Sequence, residues 1–210
     1  MRSSRIARAR MFGMAGILLC SLPSGAAALP DLAPSDPSEA ARAQSLQEAC
    51  ARATCRTESR ELQFKLSGGT VSMQTDLLPY ADEGNIILYP GDAFEVDFAA
   101  DGKAMESPHF SRTLDQVERT TSQSGSRAKF SFEFRQTDTG MMLQLRNDLG
   151  YRVKYDATIF VPEKDGLHEA DTSSCPVIPH GTGSESWPHP IAMIVLSSFR
   201  IVADGDLSCH

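Results

Sequence analysis

Between Arg127 and Pro162 the sequence alternates apolar and polar residues in three successive runs. Successive side chains of a β-strand point to opposite faces, so this alternation indicates strands with one buried and one solvated face. Turn residues at 137–140 and 147–150 separate the runs. We expect an antiparallel meander covered by a second layer, because its aromatic and β-branched face needs burial. The residues expected to meet in that core are Phe130, Phe132, Phe134, Tyr155, Ala157 and Ile159.

Shorter strand and turn signals lie on both sides of this region. Asp101-Gly102 is a hairpin signal that leads into Lys103–Met105. Ser197-Ser198 interrupt the alternation of the last strand, which indicates a β-bulge. The further strands are predicted at Leu62–Leu66, Thr70–Thr75, Asn85–Tyr89, Phe94–Phe98 and Ile191–Val202. The stretches expected to be connections are Leu77–Glu83, Glu106–Ser126, in which one or two helical turns fit, and Glu163–Pro190.

Short strands at this spacing, with turn signals between them, predict a mainly β protein. The expected architecture is a two-sheet antiparallel β-sandwich over residues 57–210, preceded by a short helix. The segment Leu88–Phe98, LYPGDAFEVDF, resembles the turn and core strand of immunoglobulin-like domains. That resemblance implies an immunoglobulin-like architecture, covers only this segment, and assigns the chain to no family.

Residues 1–28 have the organisation of a secretory signal peptide. Four arginines without an acid precede a short apolar run, Met11–Leu22, and small residues end at Ala28, where we expect cleavage. An ordinary amphipathic N-terminus is one alternative. Cys20 raises another, a lipoprotein, but Leu19 before it is not the small residue that lipidation favours. We therefore expect an exported protein, periplasmic or secreted.

Residues 29–56 are predicted to form an acidic, proline-rich tether and a short helix. Asp36, Pro37 and Glu39 supply a capping acceptor, a first-turn proline and a capping-box acid, and the helix is expected to end near Ala53. Its apolar stripe is thin, so we expect the helix to depend on docking or on a disulfide. The stripe consists of Ala40, Ala43, Leu46 and Cys50.

Loss of the leader would leave 16 Lys and Arg against 27 Asp and Glu, a net charge of −11. This balance argues against nucleic acid, whose binding rests on basic residues that neutralise phosphates. It also argues against anionic membrane surfaces. No stretch has the length and apolarity of a permanent membrane anchor, so we expect no stable membrane insertion.

Four cysteines follow the leader: Cys50, Cys55, Cys175 and Cys209. An even number behind a signal peptide indicates disulfides formed in an oxidising compartment. Three pairings are possible. We favour Cys50–Cys55, because the two are close in sequence, and Cys175–Cys209, whose loop closure would contribute ~3–4 kcal/mol in the chain-entropy model.

The most unusual composition lies in 172–190, TSSCPVIPHGTGSESWPHP. A long segment without periodicity inside a compact domain is usually functional or disordered. Trp187 is the only tryptophan and is either a contact for a partner protein or a cover for one end of the sandwich. The candidate binding residues are His180, Glu185, Trp187 and His189. With His210, the histidines and Glu185 are also conceivable zinc ligands, although their spacing matches no compact signature and we assign no metal or other cofactor.

Three functions are compatible with these features. The favoured one is an exported, non-catalytic module that binds a protein of the cell envelope or has a structural role there. The second is a metal-dependent or hydrolytic enzyme that uses the segment from His180 to His189; no Gly-x-Ser-x-Gly elbow and no catalytic residue is identified. The third is a carrier of a small apolar ligand between the sheets. The oligomeric state is left open.

Overall fold

In residues 37–66, 69–98, 105–115 and 129–209, a computed structural model describes one helix and twelve strands. The elements are α1 (Pro37–Arg52), β1 (Glu61–Leu66), β2 (Gly69–Gln74), β3 (Ala81–Asp82), β4 (Asn85–Leu88), β5 (Ala93–Asp97), β6 (His109–Thr113), β7 (Lys129–Thr137), β8 (Gly140–Asn147), β9 (Val153–Glu163), β10 (Gly166–Thr172), β11 (Gly181–Trp187) and β12 (Met193–Ile201). The leader, the tether, the capping residue Asp36, the hairpin signal Asp101-Gly102 and His210 lie outside the described residues.

The strands form antiparallel sheets, so the prediction of a mainly β protein is confirmed. One five-stranded sheet has the order β10-β9-β12-β4-β3, and the other has the order β11-β8-β7-β5-β6. A separate hairpin, β1–β2, packs Leu62 and Phe64 against Tyr89 and Ala192. The arrangement of the two larger sheets is sandwich-like.

Side chains from both five-stranded sheets meet in one apolar core. The three phenylalanines of β7 and the alternate residues of β9 expected there are all buried. Those residues are Phe130, Phe132, Phe134, Tyr155, Ala157 and Ile159. The alternation of apolar residues therefore identified the buried face of both strands.

The expected three-stranded meander is wrong, because β9 belongs to the other sheet. Only β7 and β8 form a hairpin. Asn147 at the end of β8 is buried; its Nδ2 donates to the carbonyl of Tyr151 at 2.8 Å, and its Oδ1 accepts from the amide of Leu149 at 2.9 Å. These bonds hold the turn that carries the chain across to the second sheet. Periodicity shows which face of a strand is buried, but it does not show which sheet the strand joins.

The stretches expected to be connections contain strands. Glu163–Pro190 includes β10 and β11, and residues 77–83 include the two-residue β3. Helical turns are expected within Glu106–Ser126, but residues 109–113 form the strand β6, so this expectation is wrong there. Residues 116–128 lie outside the described part of the chain. By contrast, the bulge predicted at Ser197-Ser198 is present, since the register of β12 against β9 shifts between Ser197 and Arg200.

Helix α1 ends at Arg52, one residue before the expected position, and makes little apolar contact. Ala40 and Ala43 are exposed, and Leu46 is only half-buried. A disulfide between Cys50 and Cys55 closes the segment after the helix. The guanidinium of Arg52 donates to both carboxylate oxygens of Asp82 at 2.9 and 2.8 Å. The C-terminal end of the helix is therefore held by covalent and polar links rather than by an apolar face.

Directly after this disulfide, Arg56 enters the protein with only 3% of its side chain exposed. Its Nη2 lies 2.5 Å from Oδ2 of the buried Asp92, and Oδ1 of Asp92 accepts from the half-exposed Arg60. The guanidinium carbon lies over the rings of Tyr80, at 4.4 Å, and Tyr89, at 4.8 Å. Burial raises the pKa of Tyr89 to about 12. The guanidinium also donates to the carbonyl oxygens of Leu78, Pro79 and Ile87.

Replacement of Phe132 by alanine tests the core. We expect Phe132→Ala to lower the free energy of unfolding by ~3–5 kcal/mol, because it leaves a cavity among buried rings. Ser131→Ala, on the opposite face of the same strand, should change it by less than about 0.5 kcal/mol. Urea unfolding of the two variants measures both values. Similar small losses from both would contradict the assigned core face.

Replacement of Arg56 tests the buried ion pair. Arg56→Ala should lower the free energy of unfolding by ~3–5 kcal/mol, because it leaves Asp92 buried with one cation fewer. Arg52→Ala, four residues earlier, removes an exposed ion pair and should cost much less. Chemical unfolding of both variants gives the comparison. Equal losses would show that burial of the Arg56 pair does not decide its effect.

Candidate functional site

Part of the segment singled out by its composition, Gly181–Trp187, forms the edge strand β11 rather than a loop. All seven residues of β11 pair in regular register with β8, from Gly181 opposite Asn147 to Trp187 opposite Met141. Exposure alternates along the strand. The half-buried positions are Gly181, Gly183, Glu185 and Trp187, and the exposed ones are Thr182, Ser184 and Ser186. The strand therefore presents a row of hydroxyl groups to solvent.

Glu185 joins the two sheets. The hydroxyl of Tyr155 on β9 donates to its Oε1 at 3.1 Å, and the amide of Cys175 donates to the same oxygen at 3.2 Å. Loss of solvent raises the pKa of Glu185, and the hydrogen bonds from Cys175 and Tyr155 only partly oppose this effect. Burial, and then the negative charge of Glu185, raise the pKa of Tyr155. The half-buried carboxyl group therefore accepts hydrogen bonds from both the strand β9 and the segment before β11.

Trp187 makes a second link between the sheets. Its indole Nε1 donates to the hydroxyl of Thr172, at the end of β10, with a distance of 3.2 Å. The half-buried ring packs against the core. A Cβ at Gly140 would overlap the carbonyl oxygen of Trp187 and lie 3.0 Å from Cα of Pro188, so glycine permits this close approach. Only the exposed remainder of the indole is accessible to another molecule.

The two histidines of the predicted binding set are not brought together. His180 is exposed and precedes β11, whereas His189 follows the strand, half-buried, with its Nδ1 3.2 Å from the carbonyl of Pro190. At ~3.3 Å per residue, β11 alone separates them by roughly 20 Å. Among the described residues, no three His, Cys, Asp or Glu side chains form a group that could hold a metal ion.

The disulfide pairing favoured from the sequence is the one in the structure. Cys50 is bonded to Cys55, and Cys175 is bonded to Cys209. The bond between Cys175 and Cys209 attaches the C-terminal segment to Cys175, whose amide donates to Glu185. Two intramolecular disulfides are consistent with an oxidising, extracytoplasmic location.

The edges of the two sheets differ in how they resist pairing with another chain. Short, bulged or charged edge strands discourage such pairing. The edge strand β3 has only two residues, and β6 has a register shift and carries Arg112. The edge strand β10 exposes His168, Glu169 and Asp171. In contrast, β11 is regular over seven residues and exposes only neutral hydroxyl side chains.

Sequence reasoning singled out this segment by its composition but missed the strand in it and the hydrogen bond between Glu185 and Tyr155. The signal that could have revealed the strand is the alternation Gly-x-Gly-x-Glu-x-Trp from 181 to 187. Two of its inward positions are glycines, which do not register as apolar. Their small size has a packing reason, because a Cβ at Gly181 would overlap Ile178 and one at Gly183 would lie 3.2 Å from Val177. Nothing in the sequence points from Glu185 to Tyr155.

Comparison of the chain with family models, curated proteins and solved structures finds no match. Across residues 37–66, 69–98, 105–115 and 129–209, no helix has both the length and the apolarity that a membrane span requires.

The opposite pKa shifts of two glutamates predict opposite effects of pH. Burial raises the pKa of Glu185 above its ordinary value of 4.5. The contribution of Glu185 to stability is therefore present in acid and is lost as the pH rises through the raised pKa. Burial acts to raise the pKa of Glu95 as well, but hydrogen bonds from Lys129 and Arg112 outweigh it and lower that pKa. Its contribution is present above 4.5 and is lost as the pH falls through the lowered value.

The measurement is urea unfolding from about pH 3 to about pH 8. Glu185→Gln should remove a component of stability that decreases with rising pH, whereas Glu95→Gln should remove one that increases. The same change in slope for both variants would contradict the assignments.

Proposed function

We propose that this protein is an exported, non-catalytic module that binds an extended segment of a partner protein by strand addition at β11. In this mode, backbone hydrogen bonds give affinity, and alternate side chains of the added strand give specificity. The partner is a protein of the cell envelope, and a structural role there is compatible with the same contact. We also propose a sandwich of immunoglobulin-like architecture as the scaffold, since two antiparallel sheets share one apolar core.

The observation that supports this proposal is the contrast between β11 and the other edge strands. No described strand pairs with the second edge of β11, which is regular and exposes Thr182, Ser184 and Ser186. Its one charged residue, Glu185, accepts its hydrogen bonds between the sheets. A partner strand at this edge therefore meets small neutral side chains and buries no unpaired charge.

Rigid support of the edge favours binding as well. The indole of Trp187 is tied to Thr172, and Cys175 is tied to Cys209 and donates to Glu185. A binding strand that is already ordered loses less conformational entropy on association. Export is supported by the N-terminal leader pattern and by the two disulfides.

The two alternative functions have less support. A metal-dependent or hydrolytic enzyme built on His180 and His189 needs side chains that converge, and these lie beyond opposite ends of β11. A carrier of an apolar ligand needs space between the sheets. There, the rings of Phe94, Phe130 and Phe132 are within 6 Å of one another in successive pairs, and all three are fully buried.

The test places a photo-crosslinking residue at Ser184 and, as a control, at His168 on the charged edge strand β10. We expect a protein of the cell envelope to be captured from Ser184 only. Ser184→Lys should abolish capture by placing a charge on the open edge, and it should change the free energy of unfolding by less than about 0.5 kcal/mol.

A peptide that spans the crosslinked segment of the partner then completes the experiment. Strand addition predicts slower hydrogen exchange of backbone amides in residues 181–187 when this peptide is added. Slower exchange elsewhere, or equal capture from Ser184 and His168, would contradict binding at this edge.

A further inference from the structure

Two cationic residues lie on the outer side of β9, away from the core. Val153, Tyr155 and Ala157 point into the core, so Lys154 points outward. Arg152, two residues earlier, continues the same register, because its carbonyl accepts from the amide of Val202 at 3.0 Å. Both side chains therefore belong to the outer face of the sheet.

The C-terminal segment covers this face. The carbonyl of Ser208 accepts from Nζ of Lys154 at 3.0 Å, and Cys209 is bonded to Cys175 on the far side of β9. Lys154 is only 2% exposed as a result. Within the described residues, the acceptor of its ammonium group is the neutral carbonyl of Ser208.

Arg152 has two buried donors without an acceptor. Its Nε and Nη1 are inaccessible to solvent and make no hydrogen bond within the described part of the chain. Arginine does not lose its proton in proteins, so this group stays charged. Buried donors nearly always have a partner in the protein, in ordered water or in a bound ion. Two donors of this guanidinium are therefore left for ordered water or a bound ion.

The charged side chains described around this pair have partners of their own. Arg200 is the direct cross-strand neighbour of Lys154, and its Nη1 donates to Asp156 at 2.9 Å and to the carbonyl of Ser198 at 3.0 Å. In the covering segment, Oδ1 of Asp206 accepts from the amide and the hydroxyl of Ser208. Arg152, Lys154 and Arg200 therefore share this face, where Asp156 is bonded to Arg200 and Asp206 accepts from Ser208.

We propose that Arg152 and Lys154 bind a small oxyanion beneath the C-terminal segment. Planar guanidinium donors and a compact ammonium are the groups that hold phosphate, sulfate and carboxylate oxygens. The disulfide between Cys175 and Cys209 keeps the covering segment in place. Burial beneath this segment lowers the local dielectric constant, which strengthens interactions between charges. This site is independent of the edge strand β11 and does not require the function proposed for it.

The experiment titrates the mature, oxidised protein with inorganic phosphate, with sulfate and with acetate, each against sodium chloride at the same ionic strength. Isothermal calorimetry and the thermal midpoint report binding. Phosphate and sulfate binding without acetate binding indicates a tetrahedral anion, and binding of acetate alone indicates a carboxylate. Binding of any of the three beyond chloride is expected from the proposal.

The variants locate the site. Arg152→Gln should weaken anion binding roughly tenfold to a hundredfold, the range for loss of a charged hydrogen bond. Arg135→Gln is the matched control, because Arg135 pairs with Glu133 on the other sheet, and it should leave affinity unchanged. Lys154→Met keeps the length of the aliphatic stem and provides a second reduction in affinity if Arg152→Gln fails to fold.

Absence of binding beyond chloride in the unmodified protein would overturn the proposal and leave water as the partner of Arg152. Equal affinity in Arg152→Gln and Arg135→Gln, or in Lys154→Met and the unmodified protein, would overturn it as well.

Discussion

The buried contact between Arg56 and Asp92 connects the parts of this protein that apolar packing does not. Asp92 lies in the turn that takes the chain from β4 in one sheet to β5 in the other, and Arg56 follows the disulfide that ends the helical segment. Nη1 and Nη2 of Arg56 donate to carbonyl oxygens and to one carboxylate, whereas its buried Nε makes no hydrogen bond within the described residues. A buried charge without such partners would be strongly destabilising, so the two residues enforce one arrangement of the segments around them.

At the other side of the sandwich, polar bonds also connect the sheets. Tyr155 reaches Glu185, and Trp187 reaches Thr172, so each bond joins strands that belong to different sheets. Between these two polar sides the core is aromatic, with Phe199 within 6.5 Å of the rings of Phe130, Phe132 and Tyr155. The sheets are thus joined by apolar contact in the middle and by hydrogen bonds near their margins. The bonds of Glu185 and Trp187 support β11 itself, which explains how a strand with one open edge stays ordered.

The sequence predicted most where one face of a strand is strongly apolar. The phenylalanines of β7 and the alternating residues of β9 identified the core, but the crossing between them depends on the buried amide of Asn147, which looked like an ordinary turn residue. Strand β10 has exposed side chains on both faces over most of its length, so it has no periodic signal. Strand β11 replaces apolar residues with glycine at two inward positions. Arg152 and Lys154 looked like a solvated face, because the segment that covers them is separated by about fifty residues in sequence.

The bulge in β12 makes the placement of its side chains depend on the number of residues in the strand. Between Ser197 and Arg200 the strand contains one residue more than its neighbour, and Ser198 has a φ of 52°. This additional residue restores Phe199 to the aromatic interior and turns Arg200 outward beside Lys154. Deletion of Ser198 would exchange interior and exterior for the remainder of the strand. The number of residues around position 198 therefore decides which side chains of the last strand face the core.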